Sequence, residues 1–210
     1  MLPGDKMSFG LPPSTEVSRQ LPKKVIFEKF GLSGKERIRF DSTIHRITIS
    51  NEISPKTVNI PEGKDVKSVF VLKVELQDED YDEKVISLLF KLIEQNVILV
   101  LESGIRYRPI VFREVLIQGE WTQDLDLHLN GLDMDGVWED LIKQIGNIVV
   151  LDGNDLDSQI IINEECRKRD LEIKRLEKKM ASEKQPRRKR ELYEQIRKLN
   201  DQLSVLKNHQ

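Results

Sequence analysis

Hydrophobic and polar positions along this chain fall into three regimes with different periods. Between residues 14 and 45 the apolar side chains recur at helical spacing. Val17 is followed by Leu21, then Val25, Ile26, Phe27 and Phe30 share one side of residues 23–30, and Ile38, Phe40 and Ile44 suit a helix running to about His45. Ser14, Thr15 and Ser33 are N-cap types, Pro22 is a stop, and Gly31 suits the position just past a helix end. Up to three small helices are expected before any sheet, the first over residues 14–20.

From Arg46 the period becomes two, with Ile47, Ile49 and Ile53 alternating with polar residues, which predicts a strand. Pro55, Pro61 and Gly63 mark loops. The run Val69, Phe70, Val71, Leu72, Val74, Leu76 has almost no polar interruption, as in a strand covered on both faces. Residues 78–83 are acidic and suit the first turn of a helix, with Val85, Ile86, Leu89, Leu92 and Ile93 as its buried stripe. Residues 97–101 form the next strand, so this stretch reads as a right-handed βαβ unit. A turn at Ser103 and Gly104 leads into an antiparallel strand through Tyr107, Ile110 and Phe112. Because Pro109 lacks an amide donor, that strand is expected at an edge or bulged. Residues 115–121 alternate as one more edge strand. Residues 137–145 read as a helix with Trp138, Leu141, Ile142 and Ile145 inward, closed by Gly146 and Asn147, and residues 148–151 fit either strand or helix.

The last third changes period again. Ile162, Cys166, Arg169, Ile173, Leu176 and Met180 are spaced 4, 3, 4, 3, 4, and Leu192, Ile196, Leu199, Leu203 and Leu206 are spaced 4, 3, 4, 3, which is coiled-coil spacing in both runs. The interval of 12 residues from Met180 to Leu192 breaks the register, and Pro186 inside it suits the first turn of a new helix. An antiparallel hairpin with arms of about 20 residues, or about 30 Å, follows at 1.5 Å per residue. A bent helix pairing with another subunit is the alternative. The expected class is α+β: a mixed β-sheet with flanking helices and one βαβ unit, followed by a C-terminal two-helix coiled-coil tail. Its parts are a flexible arm over residues 1–13, a body over 14–151, and the tail over 157–208.

Composition sharpens this division. Of 210 residues, 38% are apolar and 33% charged, against roughly 45–50% and 25% in average globular chains, as expected where one part is an extended solvated element. The net charge of -2 conceals 19 basic against 27 acidic side chains over residues 1–163, and 15 against 9 over residues 164–210. The body is therefore at -8 and the tail at +6, so the tail is the part suited to an acidic partner or nucleic acid. A single cysteine, Cys166, and the lack of a charged-then-apolar leader point to a reducing, cytoplasmic location. The longest apolar run, residues 97–101, is far short of the roughly 20 residues a membrane span needs.

Candidate chemistry is sparse. His45, His128 and His209 lack a second ligand at metal spacing, so no metal site and no cofactor are expected. Gly31, Gly34 and Lys35 lack the spacer and hydroxyl of a phosphate loop and read as helix punctuation. No nucleophile elbow or Cys with His arrangement occurs, and Cys166 is an apolar filler on the seam. Metal-dependent nucleases place a carboxylate near one strand end and an acidic-x-Lys triplet on the next. This chain offers the reversed order Lys73-Val74-Glu75, then Asp78 and Glu102, so Glu75, Asp78 and Glu102 are weak nuclease candidates beside their reading as a helix start and a turn. The partner-binding candidates are the seam residues Ile173, Leu176, Met180, Leu192, Ile196, Leu199, Leu203 and Leu206. Arg187, Arg188, Lys189 and Arg190 are candidates for nucleic acid or an acidic partner, with Tyr193 the only aromatic of the tail.

Residues 21–24 (Leu-Pro-Lys-Lys), residues 53–60 (Ile-Ser-Pro-Lys-Thr-Val-Asn-Ile), the strand, helix and strand over 69–101, and the tail motifs at 176–179, 183–185 and 190–192 together resemble the bacterial domain-of-unknown-function family 4391 in order and spacing. Family members often carry an apolar residue where this chain has Pro186. They are commonly encoded beside helicases and DNA methyltransferases of restriction-like, phage-defence modules. The resemblance therefore implies an accessory role in such an assembly and no catalytic residue. The expected function is a noncatalytic adaptor whose tail binds a partner chain, such as a helicase or methyltransferase component, or a second copy, with any DNA contact indirect or nonspecific. A metal-dependent nuclease is the first alternative and a nonspecific nucleic-acid binder the second.

Overall fold

The computed structural model describes residues 9–91 and 95–208, which divide into two compact units with the boundary between Ile148 and Val149. The first is built on a six-stranded mixed sheet whose spatial order follows the chain: β1 (Glu16–Gln20), β2 (Ile44–Ile53), β3 (Val69–Leu76), β4 (Asn96–Ser103), β5 (Arg106–Arg113) and β6 (Val115–Gln118). All neighbouring pairs are antiparallel except β3 and β4, which run parallel. Val69, Val71, Leu72 and Val74 of β3, and residues 97–101 of β4, are buried, so both sheet faces are covered there. The parallel connection requires a crossover, and the acidic stretch before it supplies one. Asp82 caps α4 (Glu83–Leu89) by accepting the Lys84 N–H at 2.9 Å, and Val85, Ile86 and Leu89 are buried as the stripe predicts. Leu92 and Ile93 of that stripe lie outside the described residues.

On the sheet face with α4 lie α1 (Lys23–Phe30) and α2 (Gly34–Thr43), which contribute Ile26 and Phe40 to a core shared with Leu72, Val74, Leu99 and Leu101. Gly31 closes α1 in the left-handed conformation at φ +58°, and Ser33 with Glu36 forms a reciprocal capping box at the start of α2, as the cap residues predict. Ile38, expected inward, is 71% exposed, because Phe40 takes the core-facing position and Ile44 opens β2 instead of continuing the helix. The short α3 (Pro55–Val58) fills a stretch expected to be loop, and α5 (Met134–Gly146) follows the last strand. The end of α5 reaches the opposite face through two glycines. A Cβ on Gly146 would lie 2.7 Å from Ile117 Cγ2, and one on Gly119 would lie 3.0 Å from the Ile145 carbonyl. Asn147 then ends α5 at φ +47°, and residues 148–151 are neither strand nor helix.

Two expectations are corrected by tertiary pairing, and a third is met in one of its two forms. Residues 14–20 were expected as a helix, yet after one 3-10 turn at Pro13–Thr15 the chain runs as β1 along β2. The backbone groups of β2 offer partners there, and Ser18 at φ +50° with a register shift lets the strand bulge. The buried amide of Asn51 donates to Thr15 Oγ1 at 2.9 Å, which fastens the approach to the strand. Residues 9–13 of the expected arm are packed, with Phe9 and Leu11 buried and the Phe9 carbonyl accepting the Leu127 N–H; residues 1–8 lie outside the described part. Pro109 is on an interior strand, because β6 pairs beyond it, although the bulge expected there is present. The Gly119 N–H reaches the Pro109 carbonyl at 2.9 Å, and the Gly119 carbonyl, which proline cannot serve, accepts from Arg108 Nε at 2.8 Å. β6 ends at Gln118 and the chain rejoins at a Tyr107–Thr122 bridge, three residues past Gly119 against two on β5.

A carboxylate locks α5 to the loop before β3. Asp135 accepts the backbone N–H groups of Val66 at 2.7 Å, Lys64 at 2.7 Å and Asp65 at 3.2 Å. These bonds, that from Val66 first, hold its carboxyl below the ordinary 3.8. A depressed folded-state value means stability that is present above the unfolded value and lost as pH falls through the folded one. Asp135→Asn should therefore lower the melting temperature at pH 7, with the difference from wild type shrinking below about pH 4. Thermal melts across that range check it, and a constant difference would separate the bonds from the charge.

Candidate functional sites

Two groupings of side chains stand out, one in each unit. The first follows from sheet register. Apolar runs of β3 and β4 align so that Val69 meets Asn96 and Glu75 meets Glu102. The two carboxylates thus lie side by side at the C-terminal ends of the parallel strands. Lys73, two residues before Glu75 and so on the same face, places Nζ 3.0 Å from Glu102 Oε2 and 3.4 Å from Glu75 Oε1. Arg46 of β2 stands 3.6 Å from Glu75 Oε2, and the buried Tyr107 donates its hydroxyl to Glu102 Oε1 at 3.1 Å. Two negative and two positive groups make a closed array, in which a cation would have to displace Lys73.

Of the nuclease candidates, Glu75 and Glu102 are brought together and Asp78 is not. Asp78 is exposed in the loop after β3, where it accepts the Asp80 N–H at 3.4 Å. Among the described residues no cluster of three or more His, Cys, Asp or Glu fits a metal ion. His45 is exposed, His128 pairs with Asp126 at 3.5 Å, and His209 lies outside the described residues. Gly31, Gly34 and Lys35 serve the end of α1 and the start of α2. The carboxylate pair was legible as residues and not as a pair, since adjacency depends on which positions of two strands align.

The second grouping is the tail. Helices α6 (Leu156–Ser182) and α7 (Pro186–Asn208) are joined by three residues, so short a link makes them antiparallel neighbours. At 1.5 Å per residue the arms are about 40 and 35 Å long. Pro186 begins α7, where its missing N–H costs no helical bond. Buried Cys166, Ile173 and Leu176 pack with Leu192, Ile196 and Leu203, and Ile162, Met180, Leu199 and Leu206 flank them. The seam residues expected to meet a partner thus meet each other within the chain. At the turn, Glu183 accepts the Gln185 N–H at 2.9 Å, and that bond, with a second from Lys184 and the charges of Arg188 and Lys179, holds its carboxyl below the ordinary range.

The basic run sits just past this turn, with every side chain exposed. Arg187 pairs with Glu191 at 3.4 Å and Arg190 with Glu194 at 3.5 Å, one turn apart on α7. Exposed pairs of this kind contribute roughly 0.3–0.5 kcal/mol, too little to explain four adjacent cations where the helix dipole opposes them.

The sequence matches the family described as Domain of unknown function (DUF4391) over residues 9–203. This chain belongs to the DUF4391 family. The match spans both units, so the sheet body and the hairpin are together a family feature. No curated protein and no solved structure matches the chain. Among the described residues of this DUF4391 protein, no helix is long and apolar enough to cross a membrane.

Two expectations follow from these geometries. Removing Lys73 leaves Glu75 and Glu102, each only about a fifth exposed, facing each other. Lys73→Met should destabilise the body by about 1–2 kcal/mol, between the values for exposed and buried pairs, and adding Glu102→Gln should restore part of it in a double-mutant cycle. Ile196→Asp should remove at least about 1.5–3 kcal/mol of burial from the hairpin. Helical circular dichroism should fall while the fluorescence of Trp121 and Trp138, both in the sheet unit, stays unchanged; loss of both signals would mean that the body does not hold without the tail.

Proposed function

We propose that this protein is a noncatalytic adaptor that binds a partner chain through its helical tail, as a cytoplasmic component of a bacterial restriction-like or phage-defence complex with helicase or DNA methyltransferase subunits. The observation that carries this reading is the tail itself: a second compact unit of about three tenths of the chain, held by its own apolar seam, with a mainly polar and charged outer surface on which Ile161, Leu171, Tyr193 and Val205 are the exposed large apolar side chains of the hairpin. A unit that completes its own core and then carries an uncompensated charge is suited to contact rather than catalysis. The closed array around Lys73 supports the noncatalytic half of the reading, since its carboxylates are already neutralised. The expected partner-binding role of the seam is thereby shifted: Ile173, Leu176, Leu192 and Ile196 build the hairpin, and its outer surface is what a partner would meet.

One observation favours the nuclease alternative. Register places Glu75 beside Glu102 with a lysine between them at the C-terminal ends of parallel strands, where open sheets take their ligands. A metal that displaced Lys73 would find two carboxylates, and the freed amine could orient water.

Copurification from the native host separates these readings. The tagged full chain should retain a helicase or methyltransferase component, and Ile196→Asp should release it. Plasmid and single-stranded DNA incubated with the protein in magnesium or manganese should remain intact. Cleavage that disappears in Glu75→Gln or Glu102→Gln would overturn the adaptor in favour of the nuclease.

A further inference from the structure

The positive charge of the tail is not spread along it. Residues 174–190 hold nine Lys and Arg against Glu177 and Glu183, a net of +7, while the remainder of residues 164–210 holds six basic and seven acidic groups. The whole excess therefore lies at one end of the hairpin. The fold gathers it there from two directions: Lys174, Lys178 and Lys179 come from the last turns of α6, and residues 187–190 from the first turn of α7, with the three-residue turn between. All nine side chains are exposed. None is needed to hold the arms together, because the seam is apolar. The first turn of α7 has no acidic residue to offset the dipole.

We infer that this tip is a contact for the phosphate backbone of duplex nucleic acid. It goes beyond the adaptor reading and does not depend on which protein the tail binds. Three features favour phosphates over an acidic protein surface. First, residues 187–190 step about 100° apart around α7, so the charge surrounds the helix and does not form one flat face. A flat carboxylate patch would engage only part of such a set, whereas two rows of phosphates across a groove engage both sides. Second, an antiparallel helix pair is about 10 Å across its thin dimension, and a major groove is about 12 Å wide, so the tip enters edgewise with cations toward both walls. Third, Tyr193, the only aromatic of the tail, lies outside 174–190, which leaves no platform for stacking unpaired bases. The body reinforces this restriction. Its segment 114–142 carries eight carboxylates and no Lys or Arg, so residues 1–148 hold 19 basic against 24 acidic groups. The sheet unit is net negative, and residues 174–190 hold the densest positive charge of the chain.

The test uses the full chain and a labelled 20-base-pair duplex of arbitrary sequence, read by fluorescence anisotropy from 50 to 300 mM salt. Wild type should bind with a slope of log affinity against log salt of about -0.9 per phosphate neutralised, near -4 for four or five contacts. One variant replaces residues 187–190 with Gln, and a second changes Lys174, Lys178 and Lys179 to Gln. Each should weaken binding at least tenfold at 100 mM salt and make the slope shallower by about two, because both arms contribute. Circular dichroism confirms that the helices persist, and Lys64→Gln with Lys67→Gln in the body serves as a control that should leave affinity unchanged. An absence of binding at 50 mM salt overturns the inference. So do a slope that the variants leave unchanged, a tenfold preference for single strands, and displacement by poly-glutamate as readily as by unlabelled duplex, which would assign the tip to a carboxylate partner. Copurification of the protein partner by the tip variants is scored separately, so failure of DNA binding does not decide the adaptor reading.

Discussion

The parallel pairing of β3 with β4 is the constraint from which the sheet unit follows. Their apolar runs leave no polar face for water, so helices must cover both sides, and the connection between parallel strands must leave the sheet and return. Helix α4 meets the second demand, and α1, α2 and α4 against α5 meet the first. The outer strands are free of that demand. They are antiparallel, more exposed, and end in irregularities such as the shifted register of β1 and the bulge beyond Gly119. The same pairing fixes the polar array. Once residues 69–74 and 97–101 are aligned, the first carboxylate after each run must meet the other, and Lys73 is the one charged side chain within either run that can lie between them.

This accounts for which parts were readable in advance. Residues buried on both faces, or on one helical stripe, carry their environment in their own composition, so β3, α4 and β4 and the tail seam could be recognised from apolar spacing. Caps were readable for a similar local reason: Gly31, Ser33 and Asn147 answer to backbone geometry within a few residues. What could not be read depends on a distant partner. Nothing between residues 14 and 20 says strand, because the groups that make it one belong to β2. Pro109 argues against an interior strand by its own chemistry, and is tolerated in one because a side chain one position earlier supplies the missing donor. That compensation is invisible to any periodicity. The pairing of Glu75 with Glu102, 27 residues apart, is of the same kind.

The tail obeys a different logic. Its seam is apolar at coiled-coil spacing, which by itself does not distinguish pairing within a chain from pairing between chains. The link decides it. Three residues followed by Pro186 break the register and return the chain on itself, so the seam is satisfied locally. A hairpin that has satisfied its apolar seam has mainly polar faces left for recognition, with only scattered apolar side chains such as Leu171 and Val205 exposed. Recognition by such faces rests on charge and shape more than on apolar area, and charge of one sign costs the hairpin some stability wherever like groups crowd. The crowding here is confined to one end, where the arms are joined and least able to splay. Charge repulsion there is borne by a covalent turn, while the buried leucines and isoleucines of the arms hold the rest. Segregating the cations at the turn therefore lets the hairpin keep both its dry seam and a strongly positive end, a combination that an even distribution along both arms would not permit without setting like charges against each other across the full length of the seam.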